Sequence, residues 1–306
     1  MKMKQNSSAY LSGFKLGNGR TGVLLVHSLG GTPLELKYLA QGLARAGYAV
    51  HCPMLPGMTN GTDVLSLSRW QDWYAEVERA FEELEASCDT VFVGGLSAGS
   101  ILALRLACRR QDRIAGVLAL APTLWPNGWA IPKAFNLFRL VTTRWFSRLF
   151  RFEQRAPYGI KDERLRKMMI DAYSADNRTL GQVYARSGVT VFEFLRLVSA
   201  VKREAGSMRL PMFVAHPRED DQSHLDNALR LQRMVAGPVD SVILDDSYHV
   251  ITLDRQRDVV VERSLEFIQR VENRLAQQRQ PAVADKAADH GAPSGALVGT
   301  SVGSEA

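Results

Sequence analysis

Long apolar runs are missing from this 306-residue chain: no stretch of 18 or more apolar residues occurs, which excludes a membrane-spanning helix of ordinary length. Cysteine is scarce as well. Cys52, Cys88 and Cys108 stand far apart without the paired spacing of a metal site, and read as small buried hydrophobes in a reducing compartment. The opening residues MKMKQNSSAYLSGF carry two lysines but no apolar segment, so no signal peptide is expected, and a soluble, cytoplasmic protein follows. The formal net charge of +6 is modest, and no nucleic-acid partner is expected from it. Aromatic residues are absent from 278–306, where Ala, Gly and Ser dominate; that stretch is expected to be a disordered tail.

What is present is an alternation of short apolar runs with helical periodicity. Residues 22–27 (GVLLVH), 48–52, 90–94 and 114–121 read as strands. Between them, 33–48, 67–87 and 98–109 carry apolar residues at helical spacing, the first through Leu34, Leu36, Leu39 and Leu43. Strands alternating with helices predict an α/β fold, a mostly parallel sheet covered on both faces. The alternation stops after Pro122 and resumes with a strand at 211–216, a helix at 225–235, a strand at 241–244 and a helix at 259–277. Residues 1–122 and 210–277 are therefore expected to form the core. Residues 123–209, which show helices and no convincing strand, are expected to be an inserted helical cap.

The strongest local pattern is Gly95-Leu96-Ser97-Ala98-Gly99, a G-x-S-x-G between a predicted strand and a predicted helix. A sharp turn there strains the serine backbone, and small neighbours relieve the crowding, so that the hydroxyl projects from the sheet edge. Alone, the same residues could be an ordinary glycine-rich helix start. A serine hydroxyl is a poor nucleophile and needs a base, which needs an orienting acid, in the order Ser, acid, His. After Ser97 the histidines are His216, His224, His249 and His290. His216 ends a strand, His224 opens a helix and His290 sits in the tail, which leaves His249, in the loop after the last strand. Asp220 and Asp221 follow the preceding strand, one of them expected to be solvated; Asp220 is favoured as the acid. Asp245 and Asp246 lie too close to His249 in sequence for the expected order but stand as alternatives for the acid. Oxyanion donors are expected to be the backbone N–H groups of Ala98, after the nucleophile, and Leu29, in the loop His27-Ser28-Leu29-Gly30-Gly31-Thr32-Pro33. Such chemistry requires no metal and no organic cofactor.

With these residues in place the chain resembles the bacterial carboxylesterases related to monoacylglycerol lipases, within the α/β-hydrolases. The segments carrying the resemblance are VLLVHSLGGTP, GYAVHCPMLPG, WQDWYAEV, VFVGGLSAGS, FVAHPRED and SYHVITLDRQRD, spread over residues 22–270. It implies an α/β-hydrolase fold with a helical cap inserted after the sixth strand. It also implies a triad of Ser97, Asp220 and His249, and cleavage of short- to medium-chain acyl esters or monoacylglycerol-like lipids. Three departures stand out. The family's H-G is His27-Ser28 here, its P-G-H-G turn is Pro56-Gly57-Met58-Thr59, and the glycine before the base is Tyr248. An acyltransferase, a thioesterase or a peptidase would use the same triad. A non-catalytic binding protein on the fold would have lost one of its members.

Residues 123–161 concentrate the positive charge in Lys133, Arg139, Arg144, Arg148, Arg151, Arg155 and Lys161. On a helical wheel Phe135, Phe138, Trp145, Phe146, Leu149 and Phe150 share one face, opposite most of the arginines. The favoured expectation is that this face packs down as a lid, with Trp125, Trp129, Phe135 and Phe138 as candidates for lining a substrate slot. The alternative is peripheral contact with an anionic membrane.

Overall fold

The computed structural model describes residues 12–57, 68–174 and 185–289. Seven strands form one sheet: β1 (Phe14–Leu16), β2 (Thr21–Val26), β3 (Ala49–Cys52), β4 (Thr90–Leu96), β5 (Gly116–Leu120), β8 (Met212–Pro217) and β9 (Val239–Leu244). Their order is β1-β3-β2-β4-β5-β8-β9, all parallel except β1, which pairs antiparallel with β3. β1 escapes a reading of the sequence because three residues on a sheet edge show no usable period.

Apolar runs become buried strands because each side of the sheet has its own core. Leu24, Val93, Val117 and Val214 face one cluster, formed with α2 (Trp70–Glu85), α3 (Ala98–Arg109) and α6 (Gly188–Glu204). Their neighbours Val23, Phe92, Leu118 and Phe213 face the other, beneath α1 (Lys37–Arg45) and α8 (Arg257–Asp289). The period of two therefore persists inside runs that are hydrophobic throughout. α3, whose first ten residues are all buried, is wedged between the sheet, α2 and α6. α7 (Asp226–Met234) completes the cover beside β8.

The break in alternation is an insertion between β5 and β8, and it corrects several expectations. Among the described residues five strands precede it, not six, because a single short strand closes the β3 edge. It is not purely helical: β6 (Arg151–Phe152) pairs antiparallel with β7 (Arg186–Ser187). The wheel drawn through 135–150 has no single helix behind it. A 3-10 turn, Lys133–Leu140, and the four-residue α4 (Arg144–Ser147) occupy that stretch, with α5 (Glu163–Ser174) following. Phe135 and Phe138 do turn inward, packing with Phe150 and Phe152 at ring distances of 4.9–5.3 Å, while Trp145 and Leu149 stay exposed.

At the C-terminal end α8 runs to Asp289, past the boundary expected at residue 277. Gln, Arg, Lys and Ala after that point are good helix formers and carry the helix on. Residues 290–306 of the expected tail lie outside the described residues. So do Met58 and Thr59 of the altered turn and Leu67 of the predicted helix start. Among the described residues no helix is long and apolar enough to cross a membrane.

Candidate active site

Five parallel strands deliver their following loops to one edge, where the order of connection reverses around β2 and β4, the usual place for a site in such sheets. Ser97 sits between β4 and α3 with φ 57° and ψ −114°, a left-handed conformation costly for a residue with a Cβ. Packing holds it there. The Ser97 N–H donates to the Leu120 carbonyl at 2.8 Å, and the Ser100 N–H donates back to the Ser97 carbonyl at 3.2 Å. A Cβ at Gly99 would collide with the carbonyl oxygen of Val26, and one at Gly95 with the backbone of Gly99. Both glycines of the pattern are therefore required by close approach of β2 to the start of α3.

His249 reaches this serine from the loop after β9. Its Nε2 lies 2.8 Å from Ser97 Oγ, and its Nδ1 lies 2.8 and 3.0 Å from the two carboxylate oxygens of Asp220. Nδ1–H donates to the carboxylate, which leaves the Nε2 lone pair facing the hydroxyl. Asp220 Oδ1 also accepts the N–H groups of Gln222 and Ser223, at 2.8 and 2.7 Å. Burial alone would raise the Asp220 carboxyl, but the His249 ring and these donors hold it below the usual range. Burial alone would likewise lower His249, and the charge and hydrogen bond of Asp220 raise it instead. The Thr123 hydroxyl, on the loop after β5, is 3.1 Å from Ser97 Oγ, a neighbour with no signal in the sequence.

The loop after β2 is fixed through His27. The Leu55 N–H donates to its Nε2 at 3.2 Å, so Nδ1 carries the proton and donates to the Ser28 carbonyl at 2.9 Å. Burial lowers this imidazole to about 4 and keeps it neutral. The Gly31 N–H donates to the same carbonyl at 3.1 Å. In a trans peptide C=O and N–H point opposite ways, so the Leu29 N–H is turned to the side away from these donors. Ala98, the first residue of α3, has an N–H that no acceptor within the helix can reach.

Asp221 is not solvated, against expectation: both aspartates are buried. Its carboxylate accepts the Gly159 N–H at 2.8 Å and the His249 N–H at 3.3 Å, tying the insertion to the histidine loop. Asp254, buried in the I-T-L-D segment, accepts the N–H groups of Tyr248, Lys161 and Asp162 at 2.7–2.9 Å. Both are acids at the end of an apolar run, Asp221 within Arg218-Glu219-Asp220-Asp221-Gln222 and Asp254 before Arg255, and nothing in those segments signals the backbone partners. Tyr248 does not crowd the histidine; its ring packs edge-on against Trp129 at 5.5 Å, with Lys161 Nζ 5.4 Å from its centre. His216 is buried and donates to the Ser223 carbonyl from Nε2 at 2.7 Å, and His224 is exposed beside Asp226. His290 lies outside the described residues.

Above these groups opens a cavity of about 590 Å³, lined by Ser97, His249 and Leu29 and by Phe135, Phe152 and Phe194. Of the four candidate aromatics only Phe135 lines it. Phe138 packs behind Phe135 and Phe152, Trp125 stacks under Arg139 at 4.4 Å, and Trp129 covers Tyr248.

A family model described as the alpha/beta hydrolase family matches residues 23–263. The chain belongs to the alpha/beta hydrolase family. The thermostable monoacylglycerol lipase of Bacillus sp. (strain H-257) is 28% identical over 255 residues, 83% of this chain and 92% of that protein. The carboxylesterase of Bacillus subtilis (strain 168) is 22% identical over 265 residues, 85% of this chain and 96% of that protein. The crystal structure of a monoacylglycerol lipase from Paleococcus ferrophilus superposes with a TM-score of 0.66 at 20% identity, covering 83% of this chain and 98% of its own. The alternating pattern and the G-x-S-x-G turn thus led to the right hydrolase fold.

Burial, and after it the charge of Asp220, pushes the Asp221 carboxyl up to about 6. The folded state therefore favours its neutral form, and the stability this gives is complete below the ordinary value of 3.8 and lost as pH rises through 6. Asp221→Asn cannot ionise. Relative to wild type it is expected to gain about 2 kcal/mol between about pH 4 and pH 7.5 in denaturant unfolding. An unchanged gap between the two proteins over that range would remove this role for Asp221.

Proposed function

We propose that this protein is a carboxylic ester hydrolase working through an acyl-enzyme on Ser97. The observation that carries the proposal is the 2.8 Å approach of His249 Nε2 to a serine hydroxyl held on a strained turn. Ser97 Oγ attacks the ester carbonyl while its proton passes to His249 Nε2, and Asp220 orients and stabilises the imidazolium. The N–H groups of Leu29 and Ala98 receive the oxyanion, each worth about 3 kcal/mol of transition-state stabilisation. The imidazolium then protonates the leaving alcohol. Water, deprotonated by the same nitrogen, releases the acid and regenerates the serine.

Residues 123–209 are proposed to act as the cap. Phe135, Phe152 and, on α6, Phe194, all within that span, give the cavity an apolar wall suited to an acyl chain. Substrates are accordingly short- to medium-chain acyl esters or monoacylglycerol-like lipids. That the named relatives are a monoacylglycerol lipase and a carboxylesterase supports this class. The three free thiols fit a reducing compartment, and the cytoplasm is the proposed location.

The cap also presents Leu137, Leu140, Trp145 and Leu149, each at least two-thirds exposed, among the exposed Lys133, Arg139 and Arg148. Apolar side chains amid positive charge suit the surface of an anionic bilayer, and the proposal includes peripheral contact there.

Ser97→Ala is expected to lower kcat on nitrophenyl esters by at least about four orders of magnitude with the fold intact. Activity surviving near wild-type level would end the proposal. Because His249 must be neutral to accept the proton and its pKa is raised, kcat/KM is expected to fall on the acid side around a pH above 6.5. Wild-type protein is expected to sediment with phosphatidylglycerol-containing vesicles, and a Trp145→Ser, Leu149→Ser double variant to lose at least about fivefold of that binding. The same variant should hydrolyse a water-soluble nitrophenyl ester normally; vesicle binding equal to wild type would remove the membrane contact.

A further inference from the structure

Three consecutive peptide planes in the loop after β2 are each pinned by a different partner. The plane before Ser28 is held by Glu35, whose Oε2 accepts the Ser28 N–H at 3.1 Å, with the Ser28 hydroxyl also bonded to that carboxylate. The plane between Ser28 and Leu29 is held at its carbonyl by His27 and Gly31. The plane after Leu29 is held by Arg186, whose Nε donates to the Leu29 carbonyl at 3.0 Å while its Nη1 donates to the Ala185 carbonyl at 3.1 Å. Glu35 belongs to the 3-10 turn Pro33–Leu36 of the core, and Arg186 to β7 of the insertion. The two charged groups grip the loop from both sides. A Cβ at Gly31 would run into the Glu35 carboxylate, and one at Gly30, where φ is +67°, would run into the Arg186 guanidinium. Both side chains also line the cavity beside Ser97 and His249.

We propose that Glu35 and Arg186 are positioning residues that lock the Leu29 N–H in its oxyanion-binding orientation, and that through Arg186 the hole is complete only when the cap is seated. This rests on the ester-hydrolase reading given above. The central plane carries the donor; with the planes on either side pinned, the Cα atoms of Ser28 and Leu29 that bound it stay in place, and the His27 and Gly31 donors on its carbonyl set its rotation. Oxyanion donors act through preorganisation, so small rotations of that plane weaken the transition state more than the bound substrate. Glu35 also serves the Ser28 side chain. A side chain there is accommodated because its hydroxyl and N–H share one carboxylate acceptor.

The test uses full-length protein, a water-soluble nitrophenyl ester and an alkyl boronic acid as mimic of the tetrahedral intermediate. Arg186→Ala and Glu35→Ala are each expected to lower kcat about 10- to 100-fold with KM within about threefold, and boronate affinity should fall in proportion to kcat/KM. Arg186→Lys and Glu35→Gln keep one hydrogen bond each and should recover part of the loss. The double alanine variant should lose less than the product of the two single effects, since both residues hold one loop. Folded alanine variants with kcat within twofold of wild type, or with KM alone changed, would overturn the proposal. If the alanine variants do not fold, Arg186→Lys and Glu35→Gln decide: wild-type kcat and boronate affinity in both would overturn it equally. Failure here is distinct from failure of the hydrolase reading, because Ser97→Ala would still be inert while the two positioning variants stayed fully active.

Discussion

The backbone at Ser97 is the constraint on which the rest of the site depends. A φ of 57° at a residue with a Cβ is unfavourable by about 1–3 kcal/mol, and it persists only because the surroundings allow nothing else. β2 presses its Val26 carbonyl against Gly99, Leu120 on β5 receives the Ser97 N–H, and α3 is buried over its first ten residues. The two cores on either side of the sheet thus set the turn at Ser97 as much as the motif itself does. Once the hydroxyl stands off the strand end, loops that begin 70 residues before it and end 152 residues after it need only meet at one point.

Around that point, charge is arranged by burial. Asp220 keeps its charge because three donors surround it, and His249 holds a proton readily because that charge faces it. Its neighbour Asp221, one residue away and equally buried, has only backbone N–H partners and the repulsion of Asp220, and so tends toward the neutral form. Adjacent identical side chains thereby take different tasks: one polarises the imidazole, the other fastens the loop that carries it. His27 makes the same point for histidine. Buried without a carboxylate, it is neutral and serves as a hydrogen-bonded strut beneath the loop after β2.

The core and the meeting of Ser97, Asp220 and His249 were readable from the amino-acid order because their causes are local. Alternating apolar runs give the sheet, and small residues around Ser97 give the turn. The position of His249 after the last strand separates it from His216 and His224. The insertion was read less well. A helical wheel through residues 135–150 presumes one continuous helix, whereas the chain bends at Val141 between a 3-10 turn and α4, so Trp145 and Leu149 part company with Phe135 and Phe138. Partners such as Arg186 with Leu29, or Thr123 with Ser97, depend on contacts between distant segments and leave no periodic trace. Asp254 and the expected solvation of one aspartate belong to the same class: backbone donors are invisible in a list of side chains.

That invisibility has a counterpart in the molecule. Gly159, Lys161 and Asp162 are fastened to Asp221 and Asp254 by main-chain N–H groups, and Gly159 returns its carbonyl to the Val250 N–H. Every amino acid other than proline offers the same N–H. These bonds therefore make little demand on the side chains at 161 and 162, whereas Gly159, at φ +81°, leaves no room for a Cβ beside Val250 and Gln222; the sheet core supplies the carboxylate of each bond. An architecture joined in this way lends itself to grafting: one sheet core can accept differently built insertions, provided a glycine is kept at the contact, without disturbing the meeting of Ser97, His249 and Asp220.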